Sequence, residues 1–217
     1  MDYMFNKILP ITILFFFFQQ SLVAETINVF EFTKEEMKSL EVRKVKGETT
    51  YTLGFNENGN YIRAEAEGKA SGLGKELKIN LLKTPFINIT WKVEKDLPGI
   101  IENSKKGHDY AARVFVVKKT GATALSNRAI NYVFSSNNSV GNNWPSPYTK
   151  KSIDYVLSTT KEHHNQWITV KANVREHFKK LHDLDVSELT GVAIMTDTDN
   201  SKLKAISYYQ NIYFSSE

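Results

Sequence analysis

The chain has 217 residues, contains no cysteine and carries a formal net charge of +4 at pH 7. The absence of cysteine excludes a disulfide scaffold, cysteine metal ligands and a lipid attached to an amino-terminal cysteine. Lysines and acidic residues are mixed along the chain, without a long basic run or a basic-aromatic patch. We therefore expect a solvated surface of mixed charge and no nucleic-acid partner.

The first 24 residues have the pattern of a secretory signal peptide. Lys7 precedes an uncharged stretch at 8–18, and the small residue Ala24 stands before Glu25. The alternative is an amino-terminal anchor, but the stretch is shorter than the roughly 20 apolar residues that span a membrane. We expect cleavage after Ala24, a mature domain at 25–217 without a transmembrane span, and a periplasmic or secreted location.

Alternating apolar and polar residues mark several strands. In YIRAEAEG, residues 61–68, the apolar side chains fall on one side and the charged ones on the other. A period of two is typical of a half-buried strand. ELKINLL at 76–82 and FINITWKV at 86–93 repeat the pattern, which predicts that Trp91 is a core residue rather than a ligand platform.

A further group of strands carries apolar residues more densely. YAARVFVV at 110–117 is apolar on both faces, which indicates a central strand. Turn-forming residues separate the strands, and we predict turns at 71–74 (SGLG) and 137–147 (NNSVGNNWPSP). About ten strands predict an all-β fold of two packed antiparallel sheets. The remaining predicted strands are 129–136, 152–159, 166–172, 191–197 and 205–214.

One short helix is predicted in the carboxyl-terminal half. Asn173 is a suitable N-cap residue, and Glu176 follows three residues later as in a capping box. Val174, Phe178 and Leu181 recur at helical spacing. This pattern predicts a short lid or crossover helix beside the sheets.

Three stretches together resemble an exported bacterial family known as domain of unknown function 3047. They are KKGHDYAARVFVV, INYVFSSNNSVGNNWPSPYT and GVAIMTDTDNS with the later YYQNIYFS. SGLGKEL at 71–77 and WKV ending at Val93 also fit the family pattern. His108 and Phe134 depart from it, since the pattern has an acid and a tryptophan there. The resemblance covers nearly the whole mature chain.

The resemblance implies a fold but no activity, because the family has no established function. Its strand order is similar to that of galactose-binding-like jelly rolls, including carbohydrate-binding modules and the complex I intermediate-associated protein. We therefore expect a two-sheet jelly-roll sandwich. Since a fold does not imply a function, the function is argued from individual residues.

Arg113 is the single charged residue in the apolar stretch at 110–117. An unpaired buried guanidinium costs several kcal/mol, so Arg113 must reach solvent in a groove or meet a carboxylate. Alternation places it on the same face as Ala111 and Phe115. A structural ion pair and a ligand clamp both fit, because arginine serves either role.

Asp197 ends a predicted strand and Asp199 begins the next turn. Three interpretations are open: a turn held by Asp and Asn side chains, a counter-charge for Arg113, and a calcium site built from oxygen ligands. The segment is not an EF-hand, because Lys202 stands where the loop requires glycine and Tyr208 where it requires glutamate.

The loop SNNSVGNNWPSPYT at 136–149 is rich in asparagine and glycine but contains Trp144 and Tyr148. A large ring in such a loop either plugs the end of the sandwich or offers a stacking platform for a sugar. Asn131 and Tyr132, on opposite faces of the preceding strand, can supply a polar contact beneath the ring.

These features favour a non-catalytic binding module for a saccharide, a cell-envelope glycan or another small molecule, without a cofactor. One alternative is a glycan hydrolase or lyase that uses Asp109, Asp197 and Asp199 as acid and base. The other is a structural or assembly partner in the envelope. The candidate ligand-binding residues are Arg113, Asn131, Tyr132, Trp144, Asp197 and Asp199.

Overall fold

The computed structural model describes residues 24–123 and 126–217, which form two packed sheets and three short helices. In chain order the elements are β1 (Thr26–Phe30), α1 (Lys34–Ser39), β2 (Glu41–Lys46), β3 (Thr50–Asn56), β4 (Gly59–Glu67), β5 (Ala70–Asn80), β6 (Phe86–Lys95), β7 (Ala112–Lys118), β8 (Arg128–Ser135), β9 (Asn143–Ser146), β10 (Thr149–Thr159), α2 (Thr160–His163), β11 (Ile168–Asn173), α3 (Val174–His182), β12 (Glu188–Asp197) and β13 (Lys204–Ser215).

The strands form a six-stranded sheet A and a seven-stranded sheet B. Sheet A has the order β11-β6-β13-β4-β3, with β1 paired to β13, and sheet B the order β2-β5-β12-β7-β8-β10-β9. The strand pairs are antiparallel except β8 and β10, which run parallel. The predicted all-β sandwich is therefore confirmed, with one parallel pair in place of a wholly antiparallel sheet B.

The core lies between the two sheets and follows the predicted alternation. On β6, the side chains of Ile87, Ile89, Trp91 and Val93 are fully buried. The indole of Trp91 donates a hydrogen bond to Ser158 Oγ at 3.0 Å, which satisfies its polar atom inside the core. The prediction that Trp91 is a core residue is confirmed.

The predicted helix is α3, and its start is capped as expected. The side chain of Asn173 accepts a hydrogen bond from the Glu176 backbone N–H at 3.1 Å. The helix ends at Asp183, which has a left-handed φ of 52°. The short helices α1 and α2 were not predicted. No helix in the described part of the chain is long and apolar enough to cross a membrane.

Two segments predicted as turns belong to strands. Residues 71–74 lie inside β5, which pairs with β2 on one side and β12 on the other. Residues 143–146 form β9, at the edge of sheet B beside β10. Glycine and asparagine favour turns locally, but here pairing with neighbouring strands decides the conformation. The signal-peptide prediction falls on residues 1–24, and residues 1–23 lie outside the described part.

Candidate functional site

The face of sheet B that points away from sheet A, called here the outer face of sheet B, carries most of the predicted site residues. Alternation on β7 buries Val114 between the sheets and turns Arg113 and Phe115 outward. The face has two parts. Around Arg113 and Trp144 it is covered by side chains, and we call this part the closed half; around Gly72 and Gly74 it forms an open groove.

The centre of the closed half is an ion pair between Arg113 and Asp197. Arg113 Nη2 lies 2.5 Å from Asp197 Oδ2, and the two side chains are 6% and 1% exposed. The guanidinium carbon also lies 5.3 Å from the Tyr110 ring centroid and 5.1 Å from that of Phe115. Arg113 thus meets a carboxylate at the end of the neighbouring strand, as one of the sequence interpretations predicted.

Burial dominates the electrostatics of Asp197. Removal from water raises the pKa of this carboxyl to about 7, although the positive charge of Arg113 acts in the opposite direction. The neighbouring carboxyl of Asp109 adds to the rise. Both partners are buried, so above about pH 7, where Asp197 is ionised, removal of Arg113 would leave the carboxylate without compensation.

The segment after Asp197 is a turn fastened by Asp109. The buried carboxylate of Asp109 accepts hydrogen bonds from the side-chain amide of Asn200 at 2.8 Å and from the backbone N–H of Ser201 at 2.5 Å. Asp199, in the same turn, is half-buried. The turn interpretation therefore holds for this segment, while the acid that fastens it comes from a different part of the chain.

Three carboxylates meet at this turn. Oxygen atoms of Asp109, Asp197 and Asp199 lie within 4.8 Å of one another. They are the hard oxygen ligands that a cation such as calcium prefers. Asp197 is already bonded to Arg113 and Asp109 to the turn amides.

A second buried acid, Asp154, organises the other side of the closed half. Asn131 Nδ2 donates to Asp154 Oδ1 at 2.7 Å, and His108 Nε2 lies 2.8 Å from Asp154 Oδ2. All three side chains are buried. The sequence analysis missed Asp154 and His108. The signal was present, because Asp154 is a lone acid in an apolar strand, as Arg113 is a lone base.

Trp144 covers the closed half. It lies on β9 opposite Asp154 and packs against a small apolar cluster of Tyr110, Val133 and Val156. Its ring is half-buried. This is the geometry of a plug, one of the two alternatives predicted for the ring.

Tyr132 does not share the outer face. Its side chain is fully buried between the sheets, and its hydroxyl lies 3.0 Å from His177 Nδ1. The structure therefore brings together Arg113, Asn131, Trp144 and Asp197, with Asp199 in the turn at their edge. The inclusion of Tyr132 is corrected, because its place in the alternation points it into the core.

The open groove has a volume of about 420 Å³ and crosses β5, β12 and β7. Its floor contains Gly72 and Gly74 of β5 beside Gly191 and Ala193 of β12, and Phe115 stands at its side. Since these floor residues have little or no side chain, the backbone is partly accessible at Gly74, Gly191 and Ala193, while Gly72 is buried. The sequence analysis missed the groove because 71–74 was predicted as a turn.

Charged side chains line the rim of the groove. Glu41 and Arg43 stand on β2, and Lys119 pairs with Glu76 at 2.6 Å on the other side. Lys75 is paired with Glu36 of α1 at 2.9 Å. The groove thus joins an apolar ring and bare backbone to charged groups of both signs.

The sequence matches the model of a family described as "Protein of unknown function (DUF3047)" over residues 35–213. The chain belongs to this family. The resemblance to this family that three stretches of the sequence indicated is therefore confirmed. A search of curated proteins finds no match.

Solved structures similar to this chain include carbohydrate-binding modules and a cellulase. The family 30 carbohydrate-binding module of a cellulosomal cellulase of Clostridium thermocellum has a TM-score of 0.51 and 10% identity, covering 89% of this chain and 98% of that chain. A family 11 carbohydrate-binding module of the same organism has a TM-score of 0.44 and 10% identity, covering 90% and 95%.

A third structure is a cellulase derived by mutation from a Rhodothermus marinus cellulase. Its TM-score is 0.47 and its identity 7%, covering 89% of this chain and 100% of that chain. The similarity to the family 30 module shows a shared fold, and the predicted jelly-roll sandwich is confirmed. At 10% identity it shows the fold alone.

Proposed function

We propose that the DUF3047 protein is an exported, non-catalytic binding module that holds a saccharide, a cell-envelope glycan or another small molecule in the open groove. The observation that carries the proposal is the groove itself. A floor of Gly72, Gly74 and Gly191 lies beside the ring of Phe115. Ligand sites are commonly concave, with apolar walls and a few polar groups that fix orientation.

The chemistry of the groove suits a sugar. A sugar ring has apolar C–H faces that pack on an aromatic ring, and hydroxyls that bond to polar side chains and backbone. Phe115 supplies the ring, while Arg43 and Glu41 supply polar groups at the rim. The fold shared with a family 30 carbohydrate-binding module adds support by analogy.

In this proposal the predicted site residues of the closed half hold the groove in place. Arg113 lies against Phe115, and its Nη2 is 3.5 Å from Met195 Sδ at the end of the floor. Asp197 fixes Arg113, while Asn131 and Trp144 close the neighbouring surface. Their contribution to binding is positional.

Binding is favoured over hydrolysis by where the acids lie. Asp109 and Asp197 are 0% and 1% exposed and are held by the turn amides and by Arg113. A hydrolytic pair of carboxylates must flank a bound glycosidic bond. Neither acid lines the open groove, whose own carboxylates are Glu41 at the rim and Glu76, which is paired with Lys119.

Glycan-array binding followed by calorimetry tests the proposal. Gly74→Val places a side chain in the groove, because a Cβ at this position has its nearest neighbour at 3.7 Å and fits without a clash. We expect this variant to weaken glycan binding by about tenfold or more. Lys78→Ala, on the same strand outside the groove, is the control and should bind normally. If Gly74→Val left the binding of every ligand found on the array unchanged, the proposed site would be contradicted.

Export is a separate part of the proposal and rests on the sequence around Ala24. Mass spectrometry of the protein from its native host should find a mature amino terminus at or near Glu25. A dominant full-length species would contradict cleavage.

A further inference from the structure

The outer face of sheet A, on the opposite side of the molecule from the groove, carries a cluster of three aromatic rings. The centroids of Tyr61, Trp167 and Tyr208 lie 5.7 to 5.8 Å from one another. All three rings are half-buried, so each keeps a surface open to solvent. The ammonium of Lys92 lies 4.2 Å from the centroid of Tyr208. We call these rings the sheet A cluster.

Gly54 makes room for one ring of the cluster. A Cβ added at Gly54 would lie 2.3 Å from the Tyr61 ring, so any larger residue would displace the ring. Gly54 and Tyr61 are paired across β3 and β4. Glycine inside a strand often marks a place where another group must approach closely. The position of Tyr61 therefore depends on this glycine.

A polar trough of about 540 Å³ adjoins the cluster. Its hydrogen-bonding side chains are uncharged apart from Glu31. Six of the uncharged residues carry the amides and hydroxyls considered below: Asn28, Asn60, Thr90, Thr169, Asn211 and Tyr213. The trough thus offers amides and hydroxyls in place of charges.

The trough and the cluster are continuous along two strands. Thr90 and Lys92 lie two residues apart on β6 and face the same side. Trp167, just before β11, packs near Lys92, and Thr169 of β11 pairs with Thr90. Two residues of strand span roughly 7 Å. A single extended ligand can therefore contact both parts.

Irregular pairing shapes the trough. The register of β13 against β6 shifts between Gln210 and Tyr213, and the register of β1 against β13 shifts between Asn28 and Phe30. Asn211, within the first shift, has a left-handed φ of 46°. Bulges of this kind re-aim side chains and are frequent near functional sites. Asparagine is also uncommon in strands, yet three line this trough.

Several polar groups of the trough are available to a ligand. Within residues 24–123 and 126–217, the side chains of Asn28, Asn211 and Tyr213 make no hydrogen bond to the protein. Asn28 and Asn211 are exposed, and Tyr213 is half-buried. They provide amide donors and acceptors and a hydroxyl.

We propose that the trough and the sheet A cluster form a second binding site, whose ligand is a neutral oligosaccharide. Free amides and hydroxyls match sugar hydroxyls, and the partly exposed rings match the C–H faces of a sugar. An anionic ligand is disfavoured in the trough, because its single charged side chain is the carboxylate of Glu31 and its other hydrogen-bonding side chains are uncharged. The site does not depend on the groove of sheet B.

An array of neutral glycans tests this site, with hexagalacturonate included as the charged probe. Calorimetry then measures the affinity of the neutral glycans that bind. Trp167→Ala removes a ring. Thr169→Val removes one hydroxyl, which lies 2.8 Å from the hydroxyl of Thr90, without changing side-chain size. We expect about tenfold and about threefold weaker binding, respectively. Thr52→Val, an exposed threonine on β3 outside the trough, is the matched control and should change affinity less than twofold.

Three results would overturn the second site. They are an array without a neutral ligand, binding of hexagalacturonate alone, and neutral binding that neither Trp167→Ala nor Thr169→Val weakens. Thr169→Val keeps the test valid even if Trp167→Ala fails to fold. Gly74→Val separates the two sites, because it blocks the sheet B groove and should leave binding at sheet A unchanged. Loss of all binding in Gly74→Val would assign the ligand to the groove instead.

Discussion

The closed half and the open groove lie side by side on one face of sheet B but are built from opposite residue types. The closed half gathers arginine, aspartate, asparagine and tryptophan. Arg113 is bonded to Asp197 and Asn131 to Asp154, while Arg113 Nε, Asn131 Oδ1 and Trp144 Nε1 are buried without a hydrogen-bond partner in the described part of the chain. The groove is floored by glycine and alanine and remains open. The charged residues that the sequence analysis singled out thus pair within the structure. The glycines and alanine, which have no reactive side chain, create the accessible surface.

The difference has a physical origin. Buried charges need partners, so the charged side chains of the closed half pair with oppositely charged or hydrogen-bonding neighbours. A depression on a sheet requires the absence of side chains, which glycine supplies at alternate positions. We therefore expect substitutions in the closed half to change stability first, and substitutions in the groove to change binding first.

The largest expected effect is at Arg113. Arg113→Met leaves the carboxylate of Asp197 buried without a counter-charge, and at about pH 8.5 we expect a loss of about 3–5 kcal/mol in the free energy of unfolding. Adding Asp197→Asn to this variant should restore much of the lost free energy of unfolding, because it removes the unpaired buried carboxylate. Urea unfolding of the wild type, both single variants and the double variant measures this coupling. Strictly additive effects would contradict a coupled pair.

The stability of the protein should also depend on pH through Asp197. Its folded-state pKa of about 7 lies above the ordinary aspartate pKa of 3.8, so between these values the folded state holds a proton that the unfolded state releases. The contribution of Asp197 to stability is therefore present at low pH and lost as pH rises toward 7, at about 1 kcal/mol per pH unit. The difference in unfolding free energy between wild type and Asp197→Asn should fall over this range. A constant difference would contradict the raised pKa.

A smaller effect is expected at Trp144. Trp144→Ala removes a half-buried ring from the cluster of Tyr110, Val133 and Val156, and we expect a loss of about 2–3 kcal/mol, below the range for fully buried aromatic residues. Thermal unfolding and glycan binding should be measured together. A variant that keeps wild-type stability but loses binding would show that the ring is a platform and not a plug.

Much of the fold could be predicted because strand alternation is a local signal. The inward residues of β6 and the cap of α3 follow directly from residue spacing. The strand at 70–80 begins with small residues that have no strand preference of their own, and its conformation depends on pairing with β2 and β12. The sequence also contained a signal for helix α1, because Thr33 and Glu36 have the spacing of a capping box. In the structure the Thr33 hydroxyl accepts a hydrogen bond from the Glu36 backbone N–H, and the Glu36 carboxylate accepts one from the Phe32 backbone N–H.

The candidate site was harder to predict because it depends on which strands are neighbours. Arg113 and Asp197 could be paired from the need of a buried charge for a partner. Asp109 could not be linked to the turn at Asn200, because the hydrogen bond joins residues 91 positions apart. The groove requires that Gly74 and Ala193 face each other across β5 and β12, and this register is not visible in one sequence.

The smallest effects are expected from two glycines of the groove floor, which make the sharpest test of the comparison. A Cβ at Gly72 would lie 2.9 Å from the carbonyl oxygen of Ile194, so Gly72→Ala must shift a strand and should cost about 1–2 kcal/mol. A Cβ at Gly74 meets nothing closer than 3.7 Å, so Gly74→Ala should change the free energy of unfolding by less than about 0.5 kcal/mol. Chemical unfolding of both variants measures these values. If Gly74→Ala were as destabilising as Gly72→Ala, the floor at Gly74 would be needed for packing, and its glycine would no longer support a binding groove.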